Sequence, residues 1–500
     1  MLSIQLFLFA PFAYLISYIL YNLLLHPLRA YPGPLLHRAT PIPRIIARWR
    51  GLSIYQTSAL HSRYGHVVRV SPNELSYTSS AAWKDIYGAN GSLGGRSLPK
   101  DALANPAPPT GAAALINVAD DAQHRRQRRL FAPAFSERAL KEQEALLGRH
   151  AGALVAQLSR RCCDGSETTL ATNVVDLLNW TSFDIMGDLA FGAPLGLLEH
   201  GAYTPWVALT FAAIKMLTFR MILGYYFPVT GRIMPLLIPE SMKRKRAEHL
   251  AYAAAQVDAR LGRRTDRPDI WTLVLREAAA GKEPGLTVGE MHSNAGVFMI
   301  AGTETTATAL SGMVYLLLRH PDCLRRLKEE VYGAFESADE MTLERLPHLP
   351  YLNAVINEAM RVYPAAPEAL MRAVPPEGAE ICGKFVPGGT TVFITHYCAF
   401  RSPHNFALPD SFVPERWLPD CDPHFAKDDK KAFQPFSVGP RNCIGRNLAN
   451  HEIRLILANI IWHFDLELCE ESSNWTDQKT FSLWSKLPLM VKVSKAKGKP

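Results

Sequence analysis

Apolar residues return at every third or fourth position along most of this chain, the period of an amphipathic helix. The repeats cover 121–145, 170–191, 204–222, 243–262, 287–318, 321–336, 351–363 and 444–462. Two stretches break the rhythm. GHVVRVSPNELSY (65–77) and ICGKFVPGGTTVFIT (381–395) set β-branched residues around Pro and Gly turns, which predicts strands. The fold class is therefore mainly α with a small β portion. The 287–318 repeat is too long for an ordinary surface helix and should cross the core. No fixed-period repeat or low-complexity linker divides the chain, so 51–495 reads as one folded body.

The N-terminus follows another pattern. Residues 2–25 carry no charged side chain, and about 20 apolar residues suffice to cross a bilayer. Its front lacks the basic residues of a signal peptide and no A-x-A site follows, so the segment reads as a transmembrane anchor. His26, Arg29, His37, Arg38, Arg44, Arg48 and Arg50 come next, which puts the body in the cytosol and the N-terminus in the lumen. YPGPLL (31–36) predicts a stiff, Pro-rich hinge within the basic stretch 26–50. Asn90, Asn179 and Asn474 head Asn-x-Ser/Thr triplets, which on the cytosolic side would carry no glycan.

The formal net charge of +8 suits an anionic membrane surface or an acidic protein partner. Without zinc-finger spacing or an aromatic–basic pattern, nucleic acid is not expected as a partner. Eight cysteines with no C-x-x-C pair do not make a disulfide framework, and seven of them read as reduced thiols. Cys443 is different. It stands just ahead of a helical repeat, and a helix N-terminus stabilises a thiolate. Gly439 permits a tight turn, Gly445 lets something flat approach, and Arg441 offers a cation to an anionic group. A thiolate facing a flat, anionic partner describes an iron porphyrin with its propionates.

Phe436-x-x-Gly439-x-Arg441-x-Cys443-x-Gly445 resembles the haem-binding loop of the cytochrome P450 family. The resemblance implies the P450 fold and haem b bound through the Cys443 thiolate. It also implies O2 as co-substrate and electrons from NADPH through a membrane-bound NADPH–cytochrome P450 reductase. Glu358-x-x-Arg361, with Arg416 in PERW (414–417), is similar to the family's buried structural triad. Ala301-Gly302-Thr303-Glu304-Thr305-Thr306 resembles the family's oxygen-side stretch, where the helix widens over the haem. There Ala301 and Gly302 would lie against the haem, Thr305 would hold oxygen and water, and Glu304 would relay protons from solvent. His124 and Arg128, four apart on one helix face, are the implied propionate partners together with Arg372 and Arg441. The family commonly has Trp where this chain has His124. Arg125, Arg126, Arg129, Arg446, Lys430 and Lys431 would form a basic surface for the reductase.

TSFDIMGDLAFG (181–192), HRRQRRLFAPAFSERAL (124–140) and RSPHNFALPDSFVPERWLP (401–419) resemble fungal secondary-metabolism members, the group around isotrichodermin C-15 hydroxylase and averantin hydroxylase. Asn294, Phe298, Ala301 and Thr305 repeat on one helix face. Ala366, Pro367, Glu368, Ala369, Phe481 and Leu483 fall where the family's substrate contacts lie. Together they predict a lipophilic pocket in which Glu368 supplies a carboxylate. The expected reaction inserts one oxygen atom from O2 into a lipophilic secondary metabolite at the endoplasmic reticulum membrane. The alternatives are a haem-thiolate isomerase or dehydratase that needs no reductase, and a non-enzymatic, membrane-anchored haem sensor. The intact Thr305–Glu304 pair favours oxygen activation.

Overall fold

The computed structural model describes residues 2–105, 111–162, 171–230, 239–263, 265, 267–279 and 284–497; the side chains of 2–9, 210–214, 246 and 249 and the whole of Cys163 lie outside it. The long helix runs from Val288 to Arg319. Its start is fixed by a capping box: Thr287 Oγ1 accepts from Glu290 N at 3.2 Å, and Glu290 Oε2 accepts from Thr287 N at 2.9 Å. Helix Val174–Ala190 lies against it, and all of its residues but the half-buried Asp176 are buried. Gly302 makes that contact possible, because a Cβ there would sit 2.5 Å from the Met186 sulfur. The long helix stays continuous through Gly302, so the expected widening is absent and this glycine serves helix packing.

Proline and capping chemistry divide the 121–145 repeat. Helix Asp121–Phe131 gives way to a 3-10 turn, Ala132–Phe135, that contains Pro133. Ser136 then caps Glu137–Ser159 by accepting from Ala139 N at 3.2 Å. The 170–191 repeat likewise starts later, with Asn173 capping Val174–Ala190.

The β portion is small. Strand Val67–Ser71 pairs antiparallel with Glu74–Tyr77, which runs parallel to Thr391–Ile394 in the register Glu74↔Thr391; Arg372–Ala373 closes the sheet. The periodicity missed the C-terminal sheet, in which Met490–Lys495 lies between Phe464–Leu468 and Thr172–Asn173.

Residues 26–50 are folded onto the body, which corrects the expected hinge. They form helices Leu35–Ala39 and Ile42–Trp49. Arg44 is 1% exposed, donates to Thr57 Oγ1 at 2.8 Å and pairs with Glu74 at 3.4 Å. The N-terminal helix covers Leu2–Leu20 and passes into a π-helical turn, Tyr21–Leu25. Asn22 is buried there and donates to Ala39 O at 3.0 Å. Among the described residues no helix is long and apolar enough to cross a membrane, so the structure does not support a spanning helix over 2–25. Asn90 and Asn179 are buried and hydrogen-bonded, which leaves neither open to a glycan.

Behind the Cys443 loop, four charges lie at 0–1% exposure. Glu358 pairs with Arg361 at 2.8 Å and with Arg416 at 3.0 Å, and Arg416 pairs with Asp428 at 2.5 Å. Arg361 also donates to the carbonyls of Phe400, Pro409 and Ser411, and Trp417 Nε1 donates to Glu358 Oε2 at 2.9 Å. Burial works to raise the Glu358 pKa, but the hydrogen bonds and charges of Arg361 and Arg416 outweigh it and hold the carboxyl below its ordinary 4.5. Its contribution to stability is thus fully present above pH 4.5 and is lost as pH falls through the lowered value. Removing one partner leaves an uncompensated buried charge. Arg416→Met should cost about 3–5 kcal/mol in denaturant unfolding, and Glu358→Gln should flatten the acid limb of the stability–pH curve. Wild-type midpoints for both variants would refute the argument.

Candidate active site

Cys443 lies three residues before helix Arg446–His463, on a loop bent by Ser437 (φ 58°) and Gly439 (φ 76°). At Gly439 a Cβ would fall 2.0 Å from the Tyr87 carbonyl oxygen, so no other residue fits. Cys443 N donates to Phe436 O at 2.9 Å and closes the loop. Cys443 keeps an exposed face, although protein packs around it on nearly every side. Burial pushes the thiol pKa up, while the Gly445 N–H and the charges of Arg128 and Arg446 pull against it. At Gly445 an added Cβ would meet nothing nearer than the Cys443 sulfur, 4.0 Å away. That face of the loop is open beside the thiol.

The long helix shows the same behaviour midway. Ala301 is exposed and Thr305 half-buried, while Thr303, Glu304 and Thr306 beside them are buried. Thr305 Oγ1 donates back to Ala301 O at 2.6 Å. Glu304 does not face solvent: it is 4% exposed and pairs with Lys486 at 3.0 Å.

Cations gather near the loop. Arg441 Nη1 donates to Val118 O at 2.6 Å, and its Nη2 pairs with Asp121 at 2.8 Å. Arg372 is buried and bridges backbone to backbone with Lys100. Burial, then Arg372 and Arg441, pushes Lys100 down to about 7. Burial, then Arg441, Arg128 and Lys100, pushes His124 down to about 4, with Asp121 as a weaker opposing charge. Arg128 takes another part: it donates to Asn442 O at 2.8 Å and to the Asn442 side chain, so it holds the cysteine loop directly. Sequence pattern gave no sign of Lys100.

The Cytochrome P450 family model matches residues 45–493. This chain belongs to the cytochrome P450 family. The cytochrome P450 monooxygenase efuB of Hormonema carpetanum is 43% identical over 477 residues, 95% of this chain and 93% of that protein. Cytochrome P450 monooxygenase FUM2 of Gibberella moniliformis is 43% identical over 479 residues, 96% and 100% of the two chains. Averantin hydroxylase of Dothistroma septosporum is 40% identical over 479 residues, 95% and 88%. The protein is a cytochrome P450 monooxygenase, and its family implies a haem iron with a thiolate ligand, a redox partner, a small-molecule substrate and O2.

The residues present fit that cofactor. A P450 haem brings a flat ring and two carboxylates; this loop offers an enclosed thiol and an open face at Gly445, and beside it lie basic side chains among which Lys100 and His124 are pushed down by burial and by their cationic neighbours. Phe436, half-buried, packs against the main core at the loop's start.

Two pocket expectations are corrected. Asn294 is fully buried; it accepts from Leu115 N at 2.8 Å and donates to Glu290 O at 2.8 Å, tying the 111–118 segment to the long helix. Phe298 packs edge-to-face on Phe131 and Phe135, with ring centroids 4.9 and 5.5 Å away. Glu368 accepts from Thr480 Oγ1 at 2.8 Å, so part of its carboxylate is occupied by protein. Ala366 and Ala369 are half-buried, Pro367 is buried, and Ala369 bridges to Thr395. Phe481 is buried opposite Leu483 in a short hairpin, 5.5 Å from the Phe219 ring and under the Lys215 ammonium at 4.8 Å. Phe219 in turn lies 4.5 Å from Trp49, an aromatic group the periodicity missed.

Of the six cations expected on one surface, Arg126 is spent elsewhere, on Glu290 and on Gly285 O. Arg125, Arg129, Lys430, Lys431 and Arg446 are exposed.

The Lys100 ammonium donates to Ile116 O, and a propionate that it also held would be felt in haem retention. Lys100→Met should speed haem transfer to excess apomyoglobin on the order of tenfold. An unchanged transfer rate would remove Lys100 from the site.

Proposed function

We propose that this chain inserts one oxygen atom from O2 into a lipophilic secondary metabolite, by hydroxylation or epoxidation, with electrons from NADPH through a reductase. The observation that carries the reading is the enclosed Cys443 thiol, held ahead of a helix N-terminus beside an open glycine face. In this reading Cys443 is the haem iron's thiolate ligand, and the haem, once bound, supplies the oxidising chemistry.

The chain's own residues do the rest. Phe436 O and the Gly445 N–H hold Cys443 in place, and Arg128 stabilises its charge. Arg441, Arg372, Lys100 and His124 hold the propionates. Thr305, its hydroxyl already engaged with Ala301 O, orients water at the oxygen side, and Glu304 hands on protons there. The mostly apolar residues at Ala366–Ala369 and Phe481–Leu483 exclude water and orient the substrate. The names of the relatives support a fungal secondary metabolite as the substrate class.

The exposed Arg125, Arg129, Arg446, Lys430 and Lys431 support docking of an acidic reductase. Attachment to the endoplasmic reticulum membrane draws support from the uncharged 2–25 segment and the exposed Leu35, Leu36, Ile42, Ile46 and Trp49. Carbonate washing of microsomes should leave the protein in the pellet; release into the wash would remove the anchor.

Reduced protein under CO should show the red-shifted Soret band of a thiolate-ligated haem, and Cys443→Ser should lose it. Turnover should require reductase and NADPH, and product should gain one oxygen atom from labelled O2. Conversion of substrate into an isomer or dehydration product without reductase would replace this reading with the isomerase or dehydratase one.

A further inference from the structure

Glu304 and Thr305 are sequence neighbours in different surroundings. Thr305 is half-buried, whereas the Glu304 carboxylate is closed off from bulk water. Glu304 Oε1 meets Lys486 Nζ at 3.0 Å, with the two side chains 6% and 5% exposed, and Glu304 Oε2 is buried without a hydrogen-bond partner. Lys486 comes from the far end of the chain, just past the Thr480–Trp484 hairpin.

Lys486 is itself held from behind. Its ammonium donates to Asn179 Oδ1 at 3.0 Å, and Asn179 Nδ2 donates to Tyr203 OH at 2.9 Å. Tyr203 donates to Asp176 Oδ1 at 2.8 Å, and Asn173 donates to Asp176 Oδ2 at 2.7 Å. A chain of buried polar groups thus runs from the half-buried Asp176 to the residue beside Thr305. The other titratable groups facing Glu304 are Tyr203 and Tyr363. Burial raises both, with the Glu304 charge adding to it, so they stay neutral. Lys486 is the positive charge that the described residues bring to this carboxylate.

A buried carboxylate without a cation takes up a proton, because low dielectric disfavours its charge. We propose that Lys486, held by Asn179, is the positioning residue that keeps Glu304 ionised and in place beside Thr305, and so sets the pH range over which Glu304 can take up and pass on protons. The inference rests on the proposed oxygen-activating role of the Thr305–Glu304 pair. It also revises the route: protons reach Glu304 past an ion pair, not straight from solvent.

The test compares haem-loaded wild type, Lys486→Met, Lys486→Arg and the double variant Lys486→Met/Glu304→Gln. Infrared difference spectra against wild type at neutral pH should show, beyond the Glu452 carboxyl common to all four proteins, an additional protonated-carboxyl C=O stretch in Lys486→Met alone. That band should be missing from wild type and Lys486→Arg, and should vanish in the double variant. The pH at which electrons from NADPH divert to hydrogen peroxide should move up by roughly one unit or more in Lys486→Met, and Lys486→Arg should restore it. If Lys486→Met does not fold, Asn179→Ala carries the test, with the same displacement in smaller amount. No C=O band together with wild-type coupling at every pH would overturn the inference. A failed oxygenase reading is separable, since it would appear as a missing thiolate-type CO band in wild type, while the infrared comparison would still judge the ion pair.

Discussion

Arg361 and Arg416 carry two positive charges to a depth where neither exposes any surface, and Glu358 and Asp428 let them stay there. Each guanidinium also satisfies backbone carbonyls that no helix or strand uses: those of Phe400, Pro409 and Ser411 for Arg361, and that of Ala407 for Arg416. The irregular 400–428 segment therefore has its polar groups answered from within. This segment reaches the cysteine loop: the Trp417 ring lies tilted, 4.8 Å from that of Phe433, three residues ahead of Phe436. The position of the thiol is inherited from this pairing of charges.

Three buried glutamates meet desolvation with three different sets of partners. Glu358 has two arginines and is held charged. Glu304 has one lysine and a free second oxygen. Glu452, on the Arg446–His463 helix, is wholly buried; burial pushes it up to about 8 and Thr306 offsets this only in part, so it is a neutral acid at pH 7. Its unfolded form ionises near 4.5, so Glu452 draws down stability as pH rises from there toward 8. The same side chain serves as strut, poised group and filler, according to what stands opposite it.

Periodicity and local motifs made legible whatever is local. The long helix, the Cys443 loop and the Glu358–Arg361 spacing each lie within one short stretch and are governed by forces acting there. Asp428, Lys100 and Lys486 could not be read, because each reaches its partner across a fold that only tertiary packing defines. Helical spacing puts Asn294, Phe298, Ala301 and Thr305 on one face, but it does not say what each depth of a helix meets. Two of the four meet protein. Gly302 was legible as a special position but for another reason, since Met186 approaches from a helix more than a hundred residues earlier. The short C-terminal strands carry alternation too brief to stand out from the surrounding loops.

Lys486 also says something about time. The chain is made from the N-terminus, so Asn179 and Glu304 leave the ribosome long before the residue that joins them. Residues 490–495, which pair with both 464–468 and 172–173, are later still. In a growing chain the acid beside Thr305 lacks its cation until Lys486 is made. The oxygen side of the site thus waits for a residue synthesised well after the long helix that carries the acid.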